Sequence, residues 1–254
     1  KNDPLLHTSR ILLENKYLSS DEILNLYENS RLRVSHVFEH ATTKPRLLEA
    51  TKVMESIVPQ VAEQVIPPIP NNKSRESLFG KEFNRIDQPS HMAKLINFAL
   101  KDIMLQYKNA LIFGEDVAKK GGVYHITADL YNYFKVRRVF DSPLDETSII
   151  GFASGLAHNG FLPIPEIQFL AYFHNAEDQL RGEAATLSFF SKGQYKNPMV
   201  LRIAGLAYQK GFGGHFHNDN SLTIFRDIPG IILACPSNGR DAVRMLRTAV
   251  RVAH

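Results

Sequence analysis

The apolar positions change their period twice along this chain. From Leu5 to about Ile57 they recur at helical spacing. Leu5, Ile11, Leu12 and Leu13 make one run, Ile23, Leu24, Leu26 and Tyr27 a second, and Val34, Val37 and Phe38 continue it. Between the first two runs, Ser19-Ser20-Asp21-Glu22 reads as a helix start, with a hydroxyl to accept an early N–H and an acid to return the bond. A further helix is predicted over Leu47–Ile57. From Pro59 to Pro89 the period fades. Pro67-Pro68-Ile69-Pro70 and Asp87-Gln88-Pro89-Ser90 predict a long connector, with Val65, Ile66 and Phe79 as apolar points through which it can pack.

A second register begins at Ser90, which is expected to cap a helix whose apolar side holds Leu95, Ile96, Phe98, Ala99, Ile103 and Met104. Short apolar runs then alternate with helical stretches. Strands are predicted at Ala110–Phe113, Val136–Phe140, Leu162–Glu166, Met199–Ile203 and Gly230–Ala234, and helices at Ser148–Asn159, Phe173–Phe190 and Arg240–Val250. Uninterrupted apolar strands separated by helices indicate an α/β fold, a mostly parallel sheet covered on both faces. The predicted organisation is a helical segment over 1–60, a connector over 61–90 and the α/β domain over 91–254. In such sheets ligands bind at the carboxyl ends of the strands. Glu146, Tyr172 and the glycine-containing stretch Gly205–Gly214 all follow predicted strands.

Composition narrows the function classes. The chain has 254 residues, 44% of them hydrophobic, enough for one sizeable core and an appendage. Thirty basic against 26 acidic side chains leave a net +4, and no dense Lys/Arg tract or zinc-finger spacing accompanies it, so nucleic acid is not an expected partner. No apolar stretch approaches a membrane span, so no membrane role is expected. A single cysteine, Cys235, excludes an internal disulfide framework. It lies in the run GIILACPS and is expected to be buried and inert. A reducing, cytoplasmic compartment is the expectation.

Several residues are candidates for chemistry. Glu146 follows the turn Asp141-Ser-Pro and opens an apolar, glycine-containing helix. A carboxylate so placed is either an ordinary acid at a helix N-terminus or one withdrawn from water to share a proton with a ligand ring. Tyr172 and Phe173 offer a flat surface on which a heterocycle can stack, against the plain alternative of core packing. The Gly211–Asn220 loop carries His215, His217 and Asp219. Without a third clear ligand it points less to metal than to an acid or positioning histidine, and a plain surface loop stays open. Glu115 and Asp116, at a strand end, cap the next turn or brace a neighbouring loop. His125, His158 and His174 read as structural, and Asp178 with Arg181 as a helix-surface pair.

Taken in order, Phe113-Gly-Glu-Asp-Val117, Gly121-Gly122-Val-Tyr124, Asp141-Ser-Pro-Leu-Asp-Glu146, Gly151-Phe-Ala-Ser-Gly155, Pro163-Ile-Pro-Glu166, the Asp178-Gln179 helix and the Gly211–Ser221 loop form a recognisable series. From about residue 92 onward the chain closely resembles the pyrimidine-binding domain of the beta subunit of thiamine-diphosphate-dependent 2-oxo acid dehydrogenases, a transketolase-like fold. Asp3-Pro4, the Leu12-Leu13 helix and Tyr17-Leu18-Ser-Ser-Asp-Glu22 resemble the carboxyl end of the alpha subunit of the same enzymes. Residues 1–60 are therefore expected to be an alpha-type tail, and the whole chain the middle section of a fused alpha–beta enzyme.

The resemblance implies oxidative decarboxylation of a 2-oxo acid, pyruvate or a branched-chain acid, with transfer of the acyl group to a lipoyl domain of the acyltransferase component. It implies that Glu146 engages a nitrogen of the aminopyrimidine ring and promotes its imino tautomer. Tyr172 would lie against that ring, with Leu144 near it. His217 would stand near the substrate and the lipoyl entrance, with His215 reaching the same pocket. The pair Asn218-Asp219 departs from the family's commoner residues there. Thiamine diphosphate and Mg2+ are the implied cofactors. The Gly-Asp-Gly motif that holds metal and diphosphate in the family's alpha part does not occur in this sequence, so an alpha region of the same or a second chain is the implied partner. A homodimer is expected, and little activity from these residues alone. Two other readings share these features: a carboligase of the transketolase or deoxyxylulose-phosphate-synthase type, and a non-catalytic assembly module.

Overall fold

The computed structural model describes residues 3–46, 48–55, 65–206 and 213–253. They fall into two compact units, Lys1–Lys52 and Val53–His254. In the first, helix α1 (Pro4–Glu14) starts at Asp3, whose carboxylate accepts from Leu5 N at 2.8 Å, with Pro4 filling a position that needs no donor. Helix α2 (Ser20–Thr42) carries the box expected at Ser19. Glu22 Oε2 accepts from Ser19 N at 2.8 Å, and Glu22 N donates to Ser19 Oγ at 3.3 Å. The second and third apolar runs are thus one helix. Short helix α3 (Ala50–Met54) lies across the division between units, inside the helix predicted over Leu47–Ile57, whose ends fall outside the described residues.

In the second unit four parallel strands lie in the order β2-β1-β3-β4: β1 (Ala110–Gly114), β2 (Val139–Asp141), β3 (Leu162–Ile167) and β4 (Arg202–Ile203). Every residue of β1 and β3 is buried, as expected of strands covered on both faces. Ala110 and Ile112 pack into one cluster with Leu100, Ile103 and Met104 of α5 (Met92–Gln106) and Val250 of α10 (Gly239–Ala253). Phe113 points the other way, onto Ile149 and Ala153 of α7 (Glu146–His158). Short helices α6 (Leu130–Phe134), α8 (Leu187–Phe190) and α9 (Thr223–Arg226) complete the surround.

Strand β4 is shorter than the predicted Met199–Ile203, and β3 supplies the reason. Residues 162, 164 and 166 of β3 turn their backbone groups toward β1, so 163 and 165 turn theirs toward β4; Leu162 N bonds Asn109 O, whereas Pro163 O accepts from Val200 N at 3.0 Å. Both 163 and 165 are proline, so that edge offers no N–H until Ile167. Regular pairing is confined to Glu166↔Arg202 and Ile167↔Ile203.

Four expectations are corrected. Helix α5 is capped by His91, whose Nδ1 accepts from Lys94 N at 3.3 Å, not by Ser90, because the helix begins one residue later. The run Gly230–Ala234 is not a strand: Ile231 packs on the core, but Ile232 and Leu233 face outward, and among the described residues no strand pairs with them. Cys235, next in that surface run, is exposed rather than buried. The helix expected over Phe173–Phe190 is broken into a 3-10 stretch (Leu170–Ala176), a wide turn (Gln179–Ala184) and α8. Tight turns bring Leu170, Phe173 and Ala176, three apart, onto one buried side.

Part of the segment read as a connector packs on the α/β core. Helix α4 (Asn72–Phe79), capped by Asn71, and a 3-10 turn (Gly80–Arg85) place Leu78 and Phe79 against Phe98 and Leu105 of α5. Buried Asp102 of α5 holds Arg75 of α4 through Nε at 2.8 Å and Arg247 of α10 at 2.8 Å. Buried Lys101 pairs with Glu82 at 3.0 Å, and Lys94 shares that carboxylate.

Candidate active site

The strand order sets where a site can form. The chain leaves β1 toward β2 on one side, and β3 pairs on the other, so the connections diverge at the carboxyl ends, where ligands bind in sheets of this kind. Glu115 immediately follows β1, Glu146 begins α7 after β2, Glu166 lies near the end of β3, Tyr172 sits in the 3-10 stretch after β3, and His217 follows β4.

Glu146 is buried and is the first residue of a thirteen-residue helix, whose unpaired N–H groups favour an anion there. Asn175 Nδ2 donates to its Oε2 at 3.2 Å. Thr147 Oγ1 in turn donates to the Asn175 carbonyl at 2.6 Å, which fixes that asparagine. Among the described residues no side chain or backbone donor takes Glu146 Oε1.

Glu115 is buried beside it. Burial first, then the negative charges of Glu146 and Asp116, push its carboxyl up to about 7. Its Oε1 has no hydrogen-bond partner among the described residues. The consequence is testable. Glu115 titrates near 4.5 unfolded and near 7 folded, so the folded state binds the extra proton between those values and loses stability as pH rises through them. Glu115→Gln removes the titration. Urea unfolding is expected to give the variant little advantage at pH 5 and an advantage of about 2–3 kcal/mol at pH 8; an advantage independent of pH would refute the assignment.

Below these acids, Glu166 is buried with Arg202 Nη1 at 2.8 Å from Oε2, off the line of a good hydrogen bond. The Gly121-Gly122 turn closes over it. A Cβ on Gly122, at φ +69°, would stand 2.7 Å from Thr127 Oγ1 and 3.1 Å from Glu166 Oε1.

Tyr172 is half-buried, and its hydroxyl lies 3.0 Å from His217 Nε2. The other ring nitrogen of His217 is 3.2 Å from Gly213 O, and the Phe169 ring stands edge-on at 4.7 Å. Tyr172 and Asn175 share the Leu170–Ala176 stretch, so one element serves both the acid pair and the histidine. Phe173 is fully buried against Phe225 and belongs to the core; it offers no stacking surface. Leu144 stands 83% exposed in the turn before α7. The His215 ring lies tilted against Phe216, 4.0 Å between centres. Asp219 takes Ser221 N and Oγ, bonds that hold its carboxyl below the usual range, and lies 3.5 Å from His174 Nε2. Gly211, at the head of the predicted loop, lies outside the described residues.

Residues 88–254 match the family described as transketolase, pyrimidine binding domain. The chain belongs to that family. The relatives it resembles are named as beta subunits of dehydrogenases. It is 38% identical over 166 residues to a 3-methyl-2-oxobutanoate dehydrogenase subunit beta of Mycobacterium tuberculosis (strain CDC 1551 / Oshkosh), covering 65% of this chain and 47% of that protein. Identity is 38% over 157 residues to a 2-oxoisovalerate dehydrogenase subunit beta of Bacillus subtilis (strain 168), covering 61% and 47%. It is 37% over 165 residues to a pyruvate dehydrogenase E1 component subunit beta of Staphylococcus epidermidis (strain ATCC 35984), covering 63% and 49%. The chain spans about half the length of these relatives. Among the described residues no helix is long and apolar enough to cross a membrane.

Asn175 and Thr147 carry no signal in the sequence, where each is a lone amide or hydroxyl. Glu166 had one: a charged residue inside the otherwise apolar run LPIPEI has to be buried with a partner. Arg202 is that partner.

Proposed function

We propose that this pyrimidine-binding domain supplies the ring-binding half of a thiamine-diphosphate site in an enzyme that oxidatively decarboxylates a 2-oxo acid and passes the acyl group to a lipoyl protein. The observation that carries the reading is the buried Glu146, which opens α7 with one oxygen fixed by Asn175 and the other unclaimed. Its orphaned, raised neighbour Glu115 fits the same group, since a nitrogen heterocycle offers the donors and acceptors that this acid pair lacks. When bound, thiamine diphosphate supplies the carbanion chemistry that decarboxylation of a 2-oxo acid requires.

The chain's own residues have narrower tasks. Glu146 Oε1 shares a proton with a ring nitrogen, giving it to the ring as the imino tautomer forms and taking it back afterwards. Glu115 holds a proton near neutrality and so limits the charge beside Glu146. Tyr172 presents its ring face to the heterocycle and Leu144 forms the exposed rim. His217 serves the acyl acceptor. Diphosphate and Mg2+ would be held by an alpha region, which the helices of residues 1–60 are proposed to terminate within a fused, dimeric enzyme. The relatives' names divide between branched-chain and pyruvate dehydrogenases at nearly equal identity, so the proposal covers both substrates.

Calorimetric titration of the complete protein with thiamine diphosphate and Mg2+, followed by turnover on a panel of 2-oxo acids with a lipoyl acceptor, tests this. Saturable binding and lipoyl-dependent turnover are expected. Absence of cofactor binding by the complete protein would defeat the proposal, and carboligation of sugar phosphates without lipoyl transfer would replace it.

A further inference from the structure

Gly213, His217 and Tyr172 form a chain of polar contacts, and with the imidazole neutral these contacts fix where the protons lie. The Gly213 carbonyl can only accept, so His217 Nδ1, 3.2 Å away, must carry the hydrogen. In the neutral ring Nε2 is then bare, and the Tyr172 hydroxyl at 3.0 Å must be the donor. The ring is also gripped mechanically. Phe169 stands edge-on at 4.7 Å and Tyr172 at 5.7 Å between ring centres. On its far side Gly213, at φ +66°, leaves no room for a side chain, since a Cβ there would lie 2.1 Å from His217 Nδ1.

We infer that Tyr172 and Gly213 are positioning residues for His217, which they hold as the Nδ1–H tautomer with its Nε2 lone pair committed to the Tyr172 hydroxyl. Tyr172 thereby has a task separate from presenting its ring face: it links the heterocycle's neighbourhood to the histidine through one hydroxyl. A second tautomer would set a lone pair against the Gly213 carbonyl and leave Tyr172 to reverse its bond, so the pair is coupled and neither group reorients alone. The role given to His217 rests on the function proposed above; its tautomer does not.

The test has two arms. In complete protein with 15N-labelled histidine, the His217 signals are assigned by their loss in His217→Gln. At pH 8 the wild type is expected to show a protonated Nδ1 and a bare, hydrogen-bonded Nε2. Tyr172→Phe should move the Nε2 signal and admit the second tautomer, and Gly213→Ala should do the same by displacing the ring. A proton on Nε2 in the wild type, or a spectrum unmoved by Tyr172→Phe, overturns the inference. In the second arm, Tyr172→Phe is expected to lower kcat for lipoyl acylation roughly 10- to 100-fold, with KM for the 2-oxo acid and the thiamine diphosphate Kd within about twofold. Added to His217→Gln, Tyr172→Phe should deepen the loss no further. Weakened cofactor binding with kcat unchanged would make Tyr172 a ring contact only and defeat the inference. If the spectra behave as expected but His217→Gln leaves turnover intact, the function assigned to His217 fails while its positioning stands.

Discussion

Glu146→Gln in the complete enzyme is expected to lower lipoyl-dependent turnover about 10²- to 10⁴-fold, the usual worth of a positioned acid–base group. Glutamine has the same shape and can still meet Asn175 through its carbonyl, so the Thr147–Asn175 brace is spared and folding should stay near normal. What is lost is the ability of a buried carboxyl to exchange a proton with the ring. A second signature separates this from a packing defect. The charge of Glu146 is one of the causes that raise Glu115, so the variant should lower the pH at which Glu115 titrates. Turnover within a few-fold of wild type, with the protein folded and cofactor bound, would remove Glu146 from the chemistry.

The largest effect on stability is expected at Gly114. It ends β1 at φ +153°, paired with Glu166, and an added Cβ would stand 2.4 Å from the Glu166 carbonyl oxygen. That atom is backbone in a fully buried strand and has no side-chain freedom with which to yield. Gly114→Ala must push β1 and β3 apart beside the buried acids Glu115 and Glu166. A loss of about 3 kcal/mol is expected from overpacking together with backbone strain, measured by urea unfolding, with a fall in melting temperature on the order of 10 °C. The same displacement shifts Glu115, so cofactor affinity should weaken even in the fraction that stays folded. An alanine variant as stable as wild type would show that the two strands separate freely.

Much of the α/β core is legible in the residue pattern because burial on both faces leaves a plain mark. The runs around Ile112 and Ile164 are apolar throughout, and the Ser19–Glu22 box encodes its bonds locally. Elements governed by distant partners are less legible. The run at Gly230–Ala234 looks like a strand, yet strandedness depends on a neighbour, and among the described residues none pairs with it. The stretch after Tyr172 has helical spacing, but spacing cannot distinguish tight from wide turns, which packing of Phe173 and Leu180 decides. Within the site, the position of Glu146 after a turn and before an apolar helix is readable. The raised carboxyl of Glu115 is not, because it arises from a charge brought near by folding. Nor is the contact of Tyr172 with His217, which are 45 residues apart.

The order in which the strands are joined bears on how the protein reaches this state. The central strand β1 needs β2, about thirty residues on, and β3, about fifty on, while β4 comes later still and is anchored through two residue pairs. Loop-closure entropy must be met before such distant pairings reward it, so this topology folds slowly for its size. A ribosome-bound chain can bury β1 against β3 well before the segment bearing His217 has emerged. The two acids lie on elements that precede the histidine in the chain, and the least strongly paired edge of the sheet, β4, is the one that the histidine follows.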